Sequence, residues 1–155
     1  MRKSRDKKGR IVVPESQVQS SIISLLKRYH VDFNRSNGAQ FTVAGVNKRG
    51  VSSKRIVRCN SIKGKADIEI WAHATNGDAI IPIALYLEVK RSDGGRQSGD
   101  QKGFQDMVER HGGFYSIVRS IDDTLAFFNK VSNVIQERLP GFSLVVGRIK
   151  NFKRG

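Results

Sequence analysis

The chain has 155 residues, of which 28 are Lys or Arg and 14 are Asp or Glu, so its formal charge is +14. A chain of this length is expected to form one domain. A single cysteine, Cys59, excludes an intramolecular disulfide, and no apolar run of about 18 residues predicts a membrane span. Because no signal-peptide pattern is present, we expect an intracellular, cytoplasmic protein. The excess of positive charge favours a polyanionic partner, with nucleic acid the leading candidate.

Positive charge is concentrated in three segments of the chain. Six of the first ten residues are Lys or Arg, seven more lie between Lys48 and Lys65 with no acid among them, and the chain ends RIKNFKRG. The internal segment leads directly into GKADIEIW, so its charges should lie near whatever that strand carries. We therefore expect nucleic-acid contacts from Arg55, Arg58, Lys63 and Lys65.

The two ends of the chain have the composition of basic arms around one folded domain. We expect a flexible N-terminal arm over 1–13, the domain over 14–147 and a basic tail over 148–155. An arm that binds phosphates and an arm that only increases solubility have the same composition, so both interpretations stay open for the N-terminus.

The first half of the chain predicts one helix followed by strands. The helix begins at Pro14-Glu15-Ser16 and runs to about Tyr29, and the spacing of its apolar residues predicts one buried face. That face is formed by Val18, Ile22, Leu25, Leu26 and Tyr29. Short strands are predicted at VDFNRS, QFTVAGV and KRIVRCN. Two stronger strands follow, ADIEIW and IPIALYLEVK, and the Asn76-Gly77 turn between them predicts an antiparallel pair.

The second half predicts two helices with a strand between them. After the loop RSDGGRQSG, a helix is expected from about Asp100 to His111, where Gly112-Gly113 ends it. Its inward-facing residues are predicted to be Phe104, Met107 and Val108. FYSIVRS is the next predicted strand. The final helix, DDTLAFFNKVSNVIQERL, begins with acidic residues that suit a helix N-terminus.

Glu88 and Lys90 are two positions apart in the second strong strand, so they point to the same face about 7 Å apart along the backbone, while Val89 points into the core. An amphipathic strand with its polar face in water gives the same pattern. On the first strong strand, alternation places Asp67 and Glu69 on one face. Antiparallel pairing can then bring Asp67 beside Glu88.

Two carboxylates and a backbone carbonyl at one strand end are the hard oxygen ligands that Mg²⁺ prefers. A cation also removes the repulsion between Asp67 and Glu88, which would otherwise raise the pKa of one of them. Lys90 then lies within reach of the metal-bound water or of a substrate phosphate, either to orient that water or to stabilise the developing charge. This combination favours metal-dependent hydrolysis of a phosphodiester bond.

The order of an acidic helix residue, an Asp and a Glu-X-Lys motif resembles the PD-(D/E)XK nuclease superfamily. More narrowly, NRSNG, RIVRCN, GKADIEIW and LYLEVKRSDGGRQSGDQKGFQDMVERHGGFYSIVRSIDD resemble its VRR-NUC subfamily, in the small stand-alone form found in bacterial viruses. The resemblance covers roughly residues 15–128. It implies an α/β, restriction-endonuclease-like core with a central mixed sheet flanked by helices in the order αβββαβ, and host cytoplasm as the location if the protein is viral.

The resemblance also implies roles for individual residues. Asp67 and Glu88 would bind the metal directly, the Val89 carbonyl would be a further ligand, and Lys90 would be catalytic. The metal would be Mg²⁺, with Mn²⁺ able to substitute. Stand-alone forms of the subfamily act on four-way junctions as homodimers, so branched DNA and a second copy of the chain are the expected partners.

Further site residues follow from the same resemblance. Gln101, in the Ser-X-X-Gln stretch, would lie over the site, and Glu15 would reach it from the first helix through water or a second metal. Ala66 stands where the superfamily name has Pro. Glu69 is an additional acid, for which we favour a solvent-facing position over metal binding.

Other residues with chemical potential receive simpler interpretations. The three histidines, His30, His73 and His111, lack metal-ligand spacing and are expected at the surface or at caps. For Tyr86, on the same face as Glu88, packing against the first helix and contact with substrate are both open, and we favour packing.

The loop after the Glu-X-Lys motif lacks the Lys-Ser/Thr ending of a phosphate-binding loop, and we interpret it as a mobile loop that carries Arg96 toward DNA. Arg91 and Lys102, on either side of it, are further candidate nucleic-acid contacts.

Two other functions stay open at this point. A non-catalytic basic binding protein explains the charge but leaves Asp67, Glu88, Lys90 and Gln101 unexplained. A restriction-type duplex nuclease needs a base-reading element, for which the chain length leaves little room. Structure-selective cleavage needs only backbone contacts. For a homodimer we favour the final helix as the contact surface, although a helix packed on its own sheet has the same spacing. The residues concerned are Leu125, Phe128, Val131, Ile135 and Leu139.

Overall fold

A computed structural model describes residue 9, residues 11–36 and residues 62–149 in full, and the backbone of residues 40–46 and 52–58. This part of the chain forms three helices and seven strands. Their bounds are α1 Glu15–Arg28, β1 Asp32–Arg35, β2 Gln40–Val46, β3 Ser52–Arg58, β4 Ile68–Thr75, β5 Ile80–Val89, α2 Gly99–Arg110, β6 Phe114–Val118, α3 Ile121–Arg138 and β7 Ser143–Val145.

The main sheet has five strands and mixed direction. Its order is β1-β4-β5-β6, with β7 paired to β4 beyond the end of β1. β4 is antiparallel to β1, β5 and β7, whereas β5 and β6 are parallel. The described part of the chain is therefore an α/β domain with a mixed sheet flanked by helices, which confirms the expected class. β2 and β3 form a separate antiparallel pair.

The apolar core lies on the face of the sheet that α1 and α3 cover. Alternation along β4 buries Ile68 and Ile70 there, and β5 adds Leu85 and Leu87, none of which exposes any side-chain area. The opposite face is covered in part by α2, where Phe104 packs with a smaller buried cluster. The rest of this face is not covered by α2. The first turn of α2 lies near the strand ends, where it can contact polar side chains.

Two predictions about helix faces are wrong. Leu125, Phe128, Val131 and Ile135 are buried in the core of the same chain, so they are not available as a contact surface for a second copy. Met107 is 38% exposed and not inward-facing, because Phe104 and Val108, four residues apart, form the buried stripe of α2.

The ends of the predicted elements differ from the observed ones where distant segments pair. β4 continues through Thr75, beyond the predicted end at Trp71, because β5 pairs with its whole length and β7 adds pairs at His73 to Thr75. β7 itself was not predicted. Val12 and Ile149 are buried, so the packed domain includes residues assigned to the arm and the tail. Residues 1–8, 10 and 150–155 lie outside the described residues.

No described helix has both the length and the apolar character needed to cross a membrane.

Candidate active site

The register of β4 and β5 brings Asp67 and Glu88 to the same sheet end. The pairing of β4 with β5 ends at Ile68 and Leu87. Asp67 directly precedes Ile68 and Glu88 directly follows Leu87, so the two acids come next to each other in the antiparallel register. Asp67 Oδ2 accepts a hydrogen bond of 2.8 Å from the Val89 backbone N–H. The Asp67 carbonyl accepts one of 2.9 Å from the Ser36 N–H. Asp67 is therefore held on two sides, its carboxylate by β5 and its backbone carbonyl by the residue after β1.

Glu88 and Lys90 form a buried ion pair. Their side chains are 1% and 10% exposed, and Lys90 Nζ lies 2.6 Å from Glu88 Oε1. Val89, between them, is fully buried toward the core. The alternative of a polar strand face in water is therefore wrong for these residues. A buried pair is costly to desolvate, so its presence at a strand end is weak evidence for stability and better evidence for a functional site.

Gln101 connects α2 to this pair. Its side-chain amide donates to Glu88 Oε1, and its Oε1 accepts from Lys90 Nζ at 3.3 Å. The same Oε1 accepts from the Ser98 N–H at 2.8 Å, while the Ser98 hydroxyl accepts from the Gln101 N–H. This is a capping box, so the interaction that starts α2 also fixes Gln101 over the ion pair.

Burial controls the electrostatics of both carboxyl groups. The pKa of Glu88 is raised to about 7. Burial is the largest cause, and the charges of Asp67 and Glu15 also raise this pKa, whereas Lys90 lowers it. Burial also raises the pKa of Asp67, which the Val89 N–H, Lys90 and Arg35 oppose. Glu88 Oε2 is buried and has no hydrogen-bond partner among the described residues. Two neighbouring carboxyl groups thus share a site with one incompletely satisfied oxygen.

The donor set fits a divalent cation with oxygen ligands. A cation would satisfy Glu88 Oε2 and neutralise the repulsion between Asp67 and Glu88. The described residues contain no group of three or more His, Cys, Asp or Glu side chains placed to hold a metal. The protein thus offers two carboxylates, which suits Mg²⁺, an ion that retains several waters. Whether the Val89 carbonyl takes part stays a prediction.

Glu15 lies at the edge of this arrangement. It is exposed at the N-terminus of α1, and its charge is close enough to raise the pKa of Glu88. It does not complete a three-acid cluster with Asp67 and Glu88. Its predicted role through water or a second metal stays a prediction.

The predicted nucleic-acid contacts differ in their surroundings. Lys63 and Arg96 are exposed. Lys102 pairs with Asp106 at 2.7 Å on the surface of α2. Arg91 pairs with Asp93 at 3.3 Å. The side chains of Arg55 and Arg58 lie outside the described residues.

Glu69 takes part in a separate polar cluster. It accepts from Lys65 Nζ at 2.8 Å and from the Tyr86 hydroxyl at 3.1 Å, and it is only partly exposed. Tyr86 packs edge-on against Phe104 of α2, with ring centroids 5.3 Å apart, so its predicted contact with the first helix is wrong. Glu69 is thus occupied by Lys65 and Tyr86, and it does not form a metal-holding group of three acids with Asp67 and Glu88.

A glycine fixes the basic segment before β4 against α2. Gly64 has a φ of +72°, and a Cβ there would collide with the backbone of Asp100 and Gln101. The close approach brings the loop with Lys63 and Lys65 to the first turn of α2. Two predicted phosphate contacts are thereby held near Gln101.

Several residues around the site were missed by sequence reasoning. Tyr115, on β6, is buried. Its pKa is raised, mainly by burial and to a smaller extent by the charge of Glu88. Gln97 donates to the Tyr115 hydroxyl at 3.2 Å and to Gln105 at 3.0 Å. Only the parallel pairing of β5 and β6 brings Tyr115 here, and no motif in the sequence marks it.

Arg35 was missed as well. It lies at the end of β1 and donates to Gln19 of α1 at 2.8 Å. Arg35 lies within NRSNG, one of the stretches that carry the family resemblance. That position was the signal in the sequence that could have marked Arg35 as a site residue.

No protein-family model matches the chain, and neither a curated protein nor a solved structure gives a significant match.

Proposed function

We propose that the protein is a Mg²⁺-dependent endodeoxyribonuclease of the PD-(D/E)XK type that hydrolyses phosphodiester bonds in branched DNA such as four-way junctions. The observation that carries the proposal is the meeting of Asp67, Glu88 and Lys90 at one sheet end, with Glu88 Oε2 buried and without a partner among the described residues. Of the residues that the family resemblance selects, Asp67, Glu88, Lys90 and Gln101 lie together, which supports the proposal, whereas Glu15 lies at the edge of the site.

Each side chain has a separate task in hydrolysis. Asp67 and Glu88 would hold Mg²⁺, which when bound polarises the phosphoryl oxygen and favours ionisation of the attacking water. Lys90 donates hydrogen bonds to the phosphate and stabilises the negative charge that develops as the water oxygen bonds to phosphorus and the leaving oxygen departs. Gln101 keeps Lys90 and Glu88 in place through its two side-chain contacts.

Lys90 acts in this proposal as a cation and not as a base. Its Nζ lies 2.6 Å from Glu88 Oε1, so an ion pair holds the side chain at a fixed position. The proton of the attacking water therefore goes to solvent, and Lys90 contributes positive charge at a fixed position.

Positive charge near the site supports DNA as the substrate. Lys63 and Lys65 lie on the loop that Gly64 fixes to α2, and β3, shortly before that loop, carries further Lys and Arg in its sequence. Backbone phosphates are read by such charges without base contacts. A substrate recognised by shape, such as a branch, is consistent with this arrangement.

A panel of labelled DNAs tests the proposal. Duplex, flap, single-stranded and four-way-junction DNAs are incubated with the full chain, with Mg²⁺, with Mn²⁺ and with EDTA. Cleavage that requires the metal, favours the junction and is lost in Lys90→Ala supports the proposal. Binding without any metal-dependent cut identifies a non-catalytic binding protein, and equal cutting of a plain duplex at fixed sequences identifies a restriction-type nuclease.

A homodimer is part of the proposal, because a two-fold symmetric junction needs two cuts at a fixed separation and a closed pair of identical chains supplies them. The buried face of α3 is excluded as its contact surface.

A further inference from the structure

Arg35 lies at the same sheet end as the acidic site residues. It is the last residue of β1 and pairs with Ile68, the residue after Asp67. The next residue, Ser36, donates its N–H to the Asp67 carbonyl. Burial raises the pKa of Asp67, and the positive charge of Arg35 is among the effects that lower it. The guanidinium is thus within electrostatic reach of the Asp67 carboxylate.

A buried amide orients this arginine. Gln19 of α1 is 7% exposed, and its Oε1 accepts a hydrogen bond of 2.8 Å from Arg35 Nη2. Placing an amide in a buried position is costly unless it is hydrogen-bonded, so this contact has a structural reason to persist. Gln19 is neutral, so this hydrogen bond orients the guanidinium without placing a negative charge beside it.

Arg35 and Gln101 lie toward different sides of the site. Gln19 lies one helical turn after Glu15, whose charge reaches Glu88, so this edge of α1 borders the site together with β1. Gln101 approaches from α2. A DNA strand at Asp67 and Glu88 would therefore pass between the β1 side and the α2 side.

Arginine suits a phosphate ligand at such a position. Its planar guanidinium matches two phosphate oxygens, and its charge is permanent. The Arg35 side chain is exposed, so a ligand can approach it.

We propose that Arg35, oriented by Gln19, binds a DNA backbone phosphate on the β1 side of the site, next to the phosphate that is cut. This inference rests on the proposed function for its ligand. It adds a phosphate contact from the end of β1, whereas Lys63 and Lys65 lie on the loop that Gly64 fixes to α2.

The test measures binding of a labelled four-way junction by the full chain in EDTA, so that cleavage does not contribute. Arg35→Ala should weaken binding about tenfold, the loss of one charge-assisted contact. It should also reduce the slope of log K against log[salt] by about 0.9, the value for one duplex phosphate. The matched control is Arg28→Ala, which also removes one positive charge. Arg28 lies about 13 Å along α1 from Gln19, so its loss should change binding less than twofold.

Two further variants separate orientation from charge. Arg35→Lys should restore the salt slope but only part of the affinity, because an ammonium cannot contact two oxygens in the same plane. Gln19→Ala should weaken binding with the slope unchanged, and the double variant with Arg35→Ala should bind no worse than Arg35→Ala alone.

The outcomes distinguish failure of the Arg35 phosphate contact from failure of the proposed nuclease function. If the parent protein binds the junction and Arg35→Ala binds equally well, or loses no more than Arg28→Ala, the inference is wrong while the nuclease proposal stands. A parent protein that neither binds nor cuts DNA overturns the proposed function itself. If Arg35→Ala fails to fold by circular dichroism, Arg35→Lys and Gln19→Ala decide the matter, and unchanged affinity in both rejects the inference.

Discussion

The backbone N–H of Val89 donates a 2.8 Å hydrogen bond to Oδ2 of Asp67, so the strand that supplies Glu88 also orients the neighbouring acid. The Val89 N–H of β5 holds the Asp67 carboxylate, and the N–H of Ser36, directly after β1, holds the Asp67 backbone carbonyl. Asp67 therefore has little freedom to move when a ligand arrives. Such preorganisation is expected of a metal ligand and predicts distinct effects for substitutions at the site.

The first prediction separates binding from chemistry. Lys90→Ala should abolish cleavage and leave junction binding nearly unchanged, because Lys90 is paired with Glu88 before reaction and acts on the negative charge that develops only in the transition state. Asp67→Asn should lose Mg²⁺ binding as well, since the amide still accepts from Val89 but carries no charge. Rates on a labelled junction and Mg²⁺ titration by calorimetry measure the two effects. A folded variant of either kind that cuts near the parent rate contradicts the site assignment.

The second prediction concerns pH. Because the folded, metal-free protein holds a proton on Glu88 up to a pKa of about 7, it binds more protons than the unfolded chain between pH 4.5 and 7. The free energy of unfolding should therefore fall as pH rises through this window, by up to about 3 kcal/mol. Denaturant titrations in EDTA at pH 5 and pH 8 measure the loss, and Glu88→Gln should remove most of the difference.

The same proton links pH to metal binding. A cation that needs the ionised Glu88 must displace the proton, so Mg²⁺ affinity at pH 6 should be about tenfold lower than at pH 8. Cleavage at limiting Mg²⁺ should rise over the same range and then level off. Calorimetry in buffers of different ionisation enthalpy should detect proton release at pH 6 and little at pH 8. A pH-independent affinity would show that Glu88 is ionised throughout.

The third prediction uses the two roles of Gln101. Gln101→Ala removes the capping box and the contacts to Glu88 and Lys90, so we expect a stability loss of about 1 kcal/mol together with slower cleavage. Gln101→Glu keeps an acceptor for the Ser98 N–H but adds a third carboxylate to the site, in place of the amide that donates to Glu88. It should retain most of the α2 cap and still lose activity at least tenfold. Equal activity of Gln101→Glu and the parent would limit Gln101 to helix capping.

The meeting of Asp67 and Glu88 could be predicted because its causes are local in sequence. The Asn76-Gly77 turn joins two strands with clear alternation, and the antiparallel register then fixes which residues lie opposite each other. Gln101 followed from the family resemblance. The structure adds the physical reason, a capping box that aims its amide at Glu88.

The rest of the site depends on contacts between distant segments, which one sequence does not encode in a readable pattern. Tyr115 reaches Glu88 through a parallel pairing across an intervening helix, and Arg35 reaches Gln19 from a short edge strand. The burial of Lys90 could not be predicted either, because alternation gives the face of a strand and not what covers that face. For the same reason the spacing of α3 did not distinguish a core from a contact surface.

The last prediction places the homodimer contact on the sheet face that α2 leaves open. Trp71 and Ile80 are 56% and 70% exposed, and the β4–β5 register puts them on one face. Beside them, Met107 helps to line an open pocket of about 270 Å³ under α2.

Charge favours a second copy of the chain as the partner on this face. Residues 66–89 contain no Lys or Arg, so two copies of a +14 chain can approach there with the least repulsion. Trp71 lies four residues from Asp67, about 13 Å along the strand, and both acidic sites would therefore lie close to the two-fold axis.

Ile80→Asp tests the predicted contact, because a substitution at so exposed a position costs the folded chain little. The parent should sediment as a dimer at micromolar concentration and place paired cuts on a junction. Ile80→Asp should sediment as a monomer and nick one strand at a time, whereas Ile11→Asp, a control at a residue 50% exposed in another part of the chain, should stay dimeric. A monomeric parent would reject the dimer altogether. An Ile80→Asp variant that remains dimeric would reject this face, because a carboxylate buried without a partner in a symmetric apolar contact, present twice, is too costly for the contact to tolerate.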